Sequence, residues 1–479
     1  MVYIPWALSS PPGLVTLSGW GRVPTVEGRE LLSEDLADIT QKASLSRGLG
    51  RSYGDSSLPA GGDTQVAGTV MADRILAFNA TSGRLRAEAG FSLHQLLEVF
   101  LPRGWFTPVT PGTKFVTLGG MVASDVHGKG HHRDGCFGQH VTSLRLRVAD
   151  GRIVDCSPTV ERELFRATLG GMGLTGHILE VEFTLVRVPS PWIYSESVKV
   201  PNIDSYIAAL KEAAPLWPQT VGWIDCSSPG KNLGRGILIK GRWATLDEAG
   251  KRILKPKSAI PVPFNLPSGL INGFTTRIGN AVLWAKQVSA VNKAIVHPET
   301  YFYPLDKLKN WNRLYGRRGM TQYQCVLPDE SGPGAARRFL ELLVSRGGAS
   351  PLCVIKDCGP EGLGMLSFPK PGVSIALDLP VRDDTQALVD ALNELVIKEG
   401  GRIYLAKDAF TRAEHFRAME PRLDAWQKVR RQWDPELRLR SAQSVRVFGD
   451  GAAPSPGTDG AALSPRSNGG PPSLPGARR

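Results

Sequence analysis

"SRGLGRSYGD", residues 46–55, sets three glycines, two arginines, two serines and a tyrosine into ten positions with no apolar period. Such a stretch serves either as a surface turn or as a cradle. In the second case consecutive backbone N–H groups converge on phosphate oxygens, and glycine permits the positive φ that this requires. The same texture recurs in "TPVTPGTKFVTLGGMVASDVHGKGHHRDGCFGQHV" (107–141) and "ATLGGMGLTGHI" (167–178). Three such loops, two of them carrying basic or hydroxyl groups, point to a long ligand containing a pyrophosphate. None matches G-x-G-x-x-G between a strand and a helix, and none matches G-x-x-x-x-G-K-[ST], so a Rossmann NAD site and a P-loop are both unsupported.

Around these loops the chain reads as α+β. Up to about Pro189 short apolar runs alternate with turns. "SLRLRVADGRIVDC" predicts two strands joined at Asp150–Gly151, and "GHILEVEFTLVRV" predicts another. "SLHQLLEVFLPRG" predicts a helix capped by Ser92 and stopped at Gly104. Leu31 to Ala43 also looks helical. From about Ser190 tryptophans appear, and longer helices ("IDSYIAALKEAAPLW", "TQALVDALNELVIKEGG") separate strands such as "QYQCVLP" and "SIALDLPV". Residues 251–300 carry prolines and little period and read as a mobile segment. "GGRIYLAKDAFTRAEHFRAMEPRLDAWQKVRRQWDP" (400–435) predicts a strand, a polar turn and a helix. Residues 449–479, nearly all Gly, Pro, Ala and Ser, read as a disordered tail.

The 479 residues carry a formal charge of +12, which suits an anionic partner. There is no block of five Lys/Arg residues and no recognition helix, so nucleic acid is a weak alternative. Six scattered cysteines without a C-x-x-C pair suit a reducing compartment. The N-terminus lacks the pattern of a signal peptide, and no run of about 18 apolar residues occurs; a cytoplasmic protein is expected. His127, His131 and His132 invite a metal, but Gly128 and Gly130 interrupt helical spacing and no carboxylate pair completes a shell. No metal is expected, and a satisfied loop histidine is the plainer account. Lys407 in "YLAKD" reads on its own as a solvated charge, and Trp223 in "GWIDC" as core.

"RGLGRSYGD", "PVTPGTKFVTLGGMVASDVHGKGHH" and "GGMGLTGHI" together resemble the pyrophosphate loop and following cofactor segments of vanillyl-alcohol-oxidase/p-cresol-methylhydroxylase-type FAD oxidoreductases. The resemblance is closest to the decaprenylphosphoryl-β-D-ribose 2′-epimerase family. "WNRLYG", "QYQCVLP", "LSFPKPG" and "GGRIYLAKDAFTRAEHFRAMEPRLDAW" extend it from about Gly19 to about Pro435. It implies an FAD-binding domain over 1–190, an inserted substrate domain over 191–400, and a segment over 401–448 that returns to the FAD domain. It places Gly48, Gly50, Arg51, Ser52, Tyr53 and Gly54 on the FAD pyrophosphate. Thr113, Gly119, Gly120 and Gly128 would lie along the cofactor, with Gly173 and Ile178 nearer its adenine. Several relatives bond FAD through a histidine where Arg51 stands here, so non-covalent FAD is implied.

By the same resemblance His127, Tyr404 and Lys407 lie beside the flavin, and Lys129, Trp223, Phe302, Gln324 and Lys356 face substrate. Lys407 would stabilise the anionic reduced cofactor or orient the hydroxyl that loses its proton. The family's pocket cysteine falls at Ala376 and a pocket tyrosine at Phe302, two departures that change the shape and polarity of the implied pocket. The implied reaction is oxidation of a sugar secondary alcohol, C2 of a polyprenylphosphoryl ribofuranose. Implied with it are a separate NAD(P)H-dependent keto-sugar reductase and room for peripheral membrane contact. An aldonolactone or alditol oxidase of the same fold, using oxygen, is the enzyme alternative.

Overall fold

A computed structural model describes residues 13–61, 64–255 and 257–451. The predicted tail lies outside the described residues from 452 onward. Its first residues do not behave as a tail: Asp450 is buried and accepts from the Arg430 guanidinium at 2.6 and 3.0 Å. A single acidic side chain inside a Gly/Pro/Ala run carries the last described contact, and composition hides it.

Before residue 190 the chain builds two small sheets and a two-stranded ribbon, Trp105–Phe106 with Val186–Arg187. In the first, Val15–Ser18, Thr25–Leu32, Gln65–Gly68 and Leu45–Arg47 lie side by side in that order. Leu31 and Leu32 therefore belong to a strand, and the predicted helix shrinks to Leu36–Ile39, capped by Asp35. The second sheet has five strands, in the order Ile75–Phe78, Arg84–Glu88, His177–Thr184, Val141–Arg147, Ile153–Cys156. Val141–Arg147 and Ile153–Cys156 pair antiparallel across the predicted Asp150–Gly151 turn, where Gly151 takes φ +92°. Leu93–Phe100 forms the predicted helix with a full Ser92/Gln95 capping box, and it buries Leu93, Leu96, Leu97 and Phe100.

From Ile193 the chain builds one eight-stranded sheet. Its two longest strands, Met320–Pro328 and Gly372–Pro380, are buried along nearly their whole length and pair antiparallel. The sheet's edges are Val291–Val296 and Arg402–Ile403. The segment after Gly400 thus begins as a strand of this sheet and then crosses to the first part of the chain. Tyr53 N donates to Ala406 O at 2.9 Å, Arg446 pairs with Asp55, and Trp426 Nε1 donates to Ala167 O. Within 251–300, read as mobile, the chain forms a 14-residue helix, Gly273–Lys286, and the strand Val291–Val296.

Candidate active site

A cavity of about 660 Å³ lies between the two halves of the chain. One wall comes from residues 46–57 and the loops at 110–129 and 172–178; the other comes from the eight-stranded sheet.

The opening stretch supplies the first wall. Its two arginines part ways. Arg47 turns back into the protein, donating to Ser18 O at 2.8 Å and Ser57 Oγ at 3.0 Å. Arg51 faces the cavity, sandwiched between Trp20 at 4.1 Å and Phe115 at 5.3 Å, and its buried Nε has no hydrogen-bond partner among the described residues. Gly50 at φ +63° turns the chain between them. The backbone N–H groups of Leu49, Gly50, Arg51 and Ser52 find no acceptor among the described residues, yet these four residues line the cavity. A run of free N–H groups beside an unsatisfied guanidinium is the donor set of an anion nest.

Not every predicted glycine belongs to this wall. Gly54 does not line the cavity; a Cβ there would run into the Asp408 carbonyl oxygen, so it is a packing glycine against the returning segment. Gly119 and Gly120 line the cavity, but their N–H groups already donate to Ala89 O and to Thr117 Oγ1. They contribute space, not donors. Thr113, Gly128, Gly173 and Ile178 also line it. Thr113 is oriented by Asp306, which accepts from its hydroxyl at 2.8 Å and from Lys114 N at 2.9 Å. Asp306, itself on the cavity, was not predicted: nothing in "PLDK" signals that it closes a contact across more than 190 residues.

The three histidines diverge. His131 accepts from Gly359 N and lies 3.4 Å from Cys136 Sγ, while His132 meets Trp217 O. His127 alone lines the cavity. Gln324, on the buried strand Met320–Pro328, places its amide nitrogen 3.0 Å from His127 Nε2 and 3.1 Å from Ser374 Oγ. With Nε2 accepting, the ring proton sits on Nδ1, which is buried without a partner. Burial, then Lys356, His131 and Lys407, hold His127 well below the usual histidine range, so it is neutral. Tyr404 packs its ring 5.0 Å from that of His127 and spends its hydroxyl on Ser124 O at 2.9 Å. Burial raises its phenol, so it presents an aromatic face, not a titrating group.

Three lysines line the same cavity: Lys129, Lys356 and Lys407. Among the described residues none has a carboxylate within 4 Å. Lys129 Nζ donates to Phe302 O at 2.9 Å, and burial with help from Lys356 pushes its pKa down to about 7. Lys407 Nζ sits 4.1 Å over the Tyr53 ring. Burial lowers it to about 7 against the opposing pull of Asp378, and Lys356 lowers it further. Lys356 is lowered by burial, opposed by Cys358 and Cys136. Asp378 lies beneath the wall, accepting from Gln322 and Tyr315, and burial pushes it up to about 7. It too was missed, since "SIALDLPV" reads only as a strand. Trp223, with Nε1 on Pro351 O, Phe302 and Ala376 complete the predicted set on the cavity.

Residues 34–157 match the FAD binding domain family. Over 453 residues the chain is 34% identical to decaprenylphosphoryl-β-D-ribose oxidase of Mycolicibacterium smegmatis, covering 90% of this chain and 97% of the relative. The chain belongs to that family. It is an FAD-dependent oxidoreductase acting on CH–OH groups. An uncharacterised Streptomyces coelicolor protein is 31% identical over 369 residues, which cover 74% of this chain and 99% of that one. D-arabinono-1,4-lactone oxidase of Yarrowia lipolytica is 30% identical over 130 residues only, 27% of this chain and 23% of that enzyme. The residues fit FAD: free N–H groups and an unpartnered Arg51 Nε suit a pyrophosphate, and the cavity volume is that of a cofactor site. No described helix is long and apolar enough to cross a membrane.

Proposed function

We propose that this chain oxidises C2 of a polyprenylphosphoryl-β-D-ribofuranose to the 2-keto sugar, the first half of an epimerisation that a separate NAD(P)H-dependent reductase completes in the cytoplasm. The observation that carries the reading is the set of three buried lysines that, among the described residues, have no carboxylate within 4 Å. Ammonium groups held out of water without a counter-ion are costly, and an anionic substrate relieves that cost on arrival. The relative whose name specifies this substrate supports the same assignment. The architecture we read is the two-domain type, with residues 191–400 inserted between an FAD-binding part and its returning segment.

Bound FAD supplies the acceptor for a hydride. Lys407, partly unprotonated near neutrality, takes the proton of the C2 hydroxyl: the O–H bond breaks, an N–H bond forms, and the C2 hydrogen departs with its electron pair. The ammonium so formed adds positive charge where a reduced, anionic cofactor needs it. Lys129 and Lys356 take the phosphate. His127 offers its Nδ1–H as a neutral donor, held in that tautomer by Gln324. FAD is held without a covalent bond, because Arg51 cannot form one.

Anaerobic mixing tests the reading. Polyprenylphosphoryl ribose is expected to bleach the flavin in one phase, and free ribose is not. Bleaching by a soluble aldonolactone, with peroxide released in air, would replace this reading with the lactone-oxidase one.

A further inference from the structure

The helix Gly273–Lys286 is built inside out. Its two buried positions are polar, Thr276 and Asn280. Asn280 Nδ2 reaches Asp225 Oδ1 at 3.0 Å, Ser227 Oγ at 3.3 Å and Ser350 O at 3.4 Å, so a polar stripe holds the helix to the protein. Its apolar stripe points away: Phe274 is 74% exposed, Ile278 and Val282 are each 51% exposed, and Leu283 lies beside them. Four-residue spacing puts Phe274, Ile278 and Val282 on one face. Phe264 and Val288, on either side of the helix in sequence, are also largely exposed. A contiguous apolar face of this kind on a water-soluble surface marks an interaction site.

Charge identifies the partner. Between residues 249 and 298 the sequence has seven Lys/Arg and no Asp or Glu. Of these seven, only Lys293 has a carboxylate within 4 Å among the described residues, Glu196 at 3.6 Å. An apolar helix face carrying Arg277 and Lys286, within a stretch of sequence that holds cations and no acidic residue, suits the interface of an anionic bilayer, where the face enters the acyl boundary and cations meet headgroups. The position serves the cavity. Gln287, at the helix end, donates to Ser197 O, and Ser197 lines the cavity; the strand that follows supplies Asn292, Ala294 and Val296 to its wall.

We propose that the face of Gly273–Lys286 carrying Phe274, Ile278 and Val282 docks this protein on anionic membrane, so that a lipid-linked substrate enters the cavity without leaving the bilayer. The second clause rests on the sugar-phosphate reading above; the docking itself does not.

The FAD-loaded protein is sedimented with vesicles of phosphatidylcholine, with or without phosphatidylglycerol. Binding is expected only with phosphatidylglycerol and is expected to fall with salt. Ile278→Glu with Val282→Glu should weaken it by about tenfold or more, while flavin content and bleaching by a short-chain, water-soluble substrate stay at parent level. If that variant loses its flavin, Arg277→Glu with Lys286→Glu makes the same demand from the cations on the helix itself. No binding, equal binding to neutral vesicles, or variants that bind as the parent does would overturn the proposal. So would a dimer, seen by analytical ultracentrifugation, that the apolar substitutions dissociate while vesicles are ignored. Vesicle binding is read without any sugar, so failure of the substrate reading leaves this result standing, and the reverse.

Discussion

The two walls of the cavity hold charge in opposite ways. The wall from residues 46–57 has one facing cation, Arg51, and works through main-chain N–H groups that any small residue could present. Elsewhere around the cavity three lysine side chains, Lys129, Lys356 and Lys407, are buried with no carboxylate within 4 Å among the described residues, Lys129 donating to the Phe302 carbonyl. A backbone cradle tolerates substitution of side chains but not of space. A lysine cluster tolerates neither loss of a charge nor addition of a carboxylate. The first is suited to holding a constant group, the second to recognising one that comes and goes.

Removing Lys407 should break the comparison most sharply. Lys407→Ala is expected to slow flavin reduction by about 10²- to 10⁴-fold, the range of a lost acid–base group, with FAD content unchanged. Anaerobic stopped-flow absorbance checks this, and reduction at the parent rate would end the assigned role. Next is Lys356→Ala, which removes a charge that depresses the neighbouring Lys407 and Lys129. It should raise KM for a phosphorylated substrate by about 10- to 100-fold and leave KM for an uncharged analogue nearly alone.

On the other wall, Arg51→Ala should reverse the pattern: FAD dissociates about tenfold more readily, measured by ultrafiltration, while the reduction rate of the fraction still loaded is kept. Denaturing the parent protein should release all its flavin into the supernatant. The smallest effect is that of pH. With Lys407 lowered to about 7, its neutral form gains population as pH rises through that value, so the reduction rate should climb about threefold from pH 6.5 to 7.5. A falling profile would assign the ammonium, not the amine, as the working form.

Much of the first wall was legible in the sequence as a lining, because a backbone turned toward a cavity writes itself as glycine and hydroxyl residues in consecutive positions. Gly54 shows the limit: close packing against Asp408 asks for the same residue as cofactor contact does, and no local pattern separates the two demands. Gly119 and Gly120 show another, since their N–H groups are consumed by Ala89 and Thr117. Asp306 and Asp378 were invisible because each acts on residues far away in the chain. The helix Gly273–Lys286 escaped for a different reason. Leu93–Phe100 announces itself by burying its apolar positions, whereas Gly273–Lys286 buries Thr276 and Asn280, so its periodicity points outward and does not read as a packed element.

The Arg430–Asp450 pair has a consequence for the gene. A stop codon ahead of position 450 strands a guanidinium that is almost wholly enclosed, leaving it the Leu439 carbonyl alone. Breaking such an enclosed pair typically costs about 3–5 kcal/mol. A stop just after Gly451 keeps both partners. Frameshifts on the two sides of this carboxylate should therefore differ sharply in how much protein the cell accumulates, although they lie only a few codons apart.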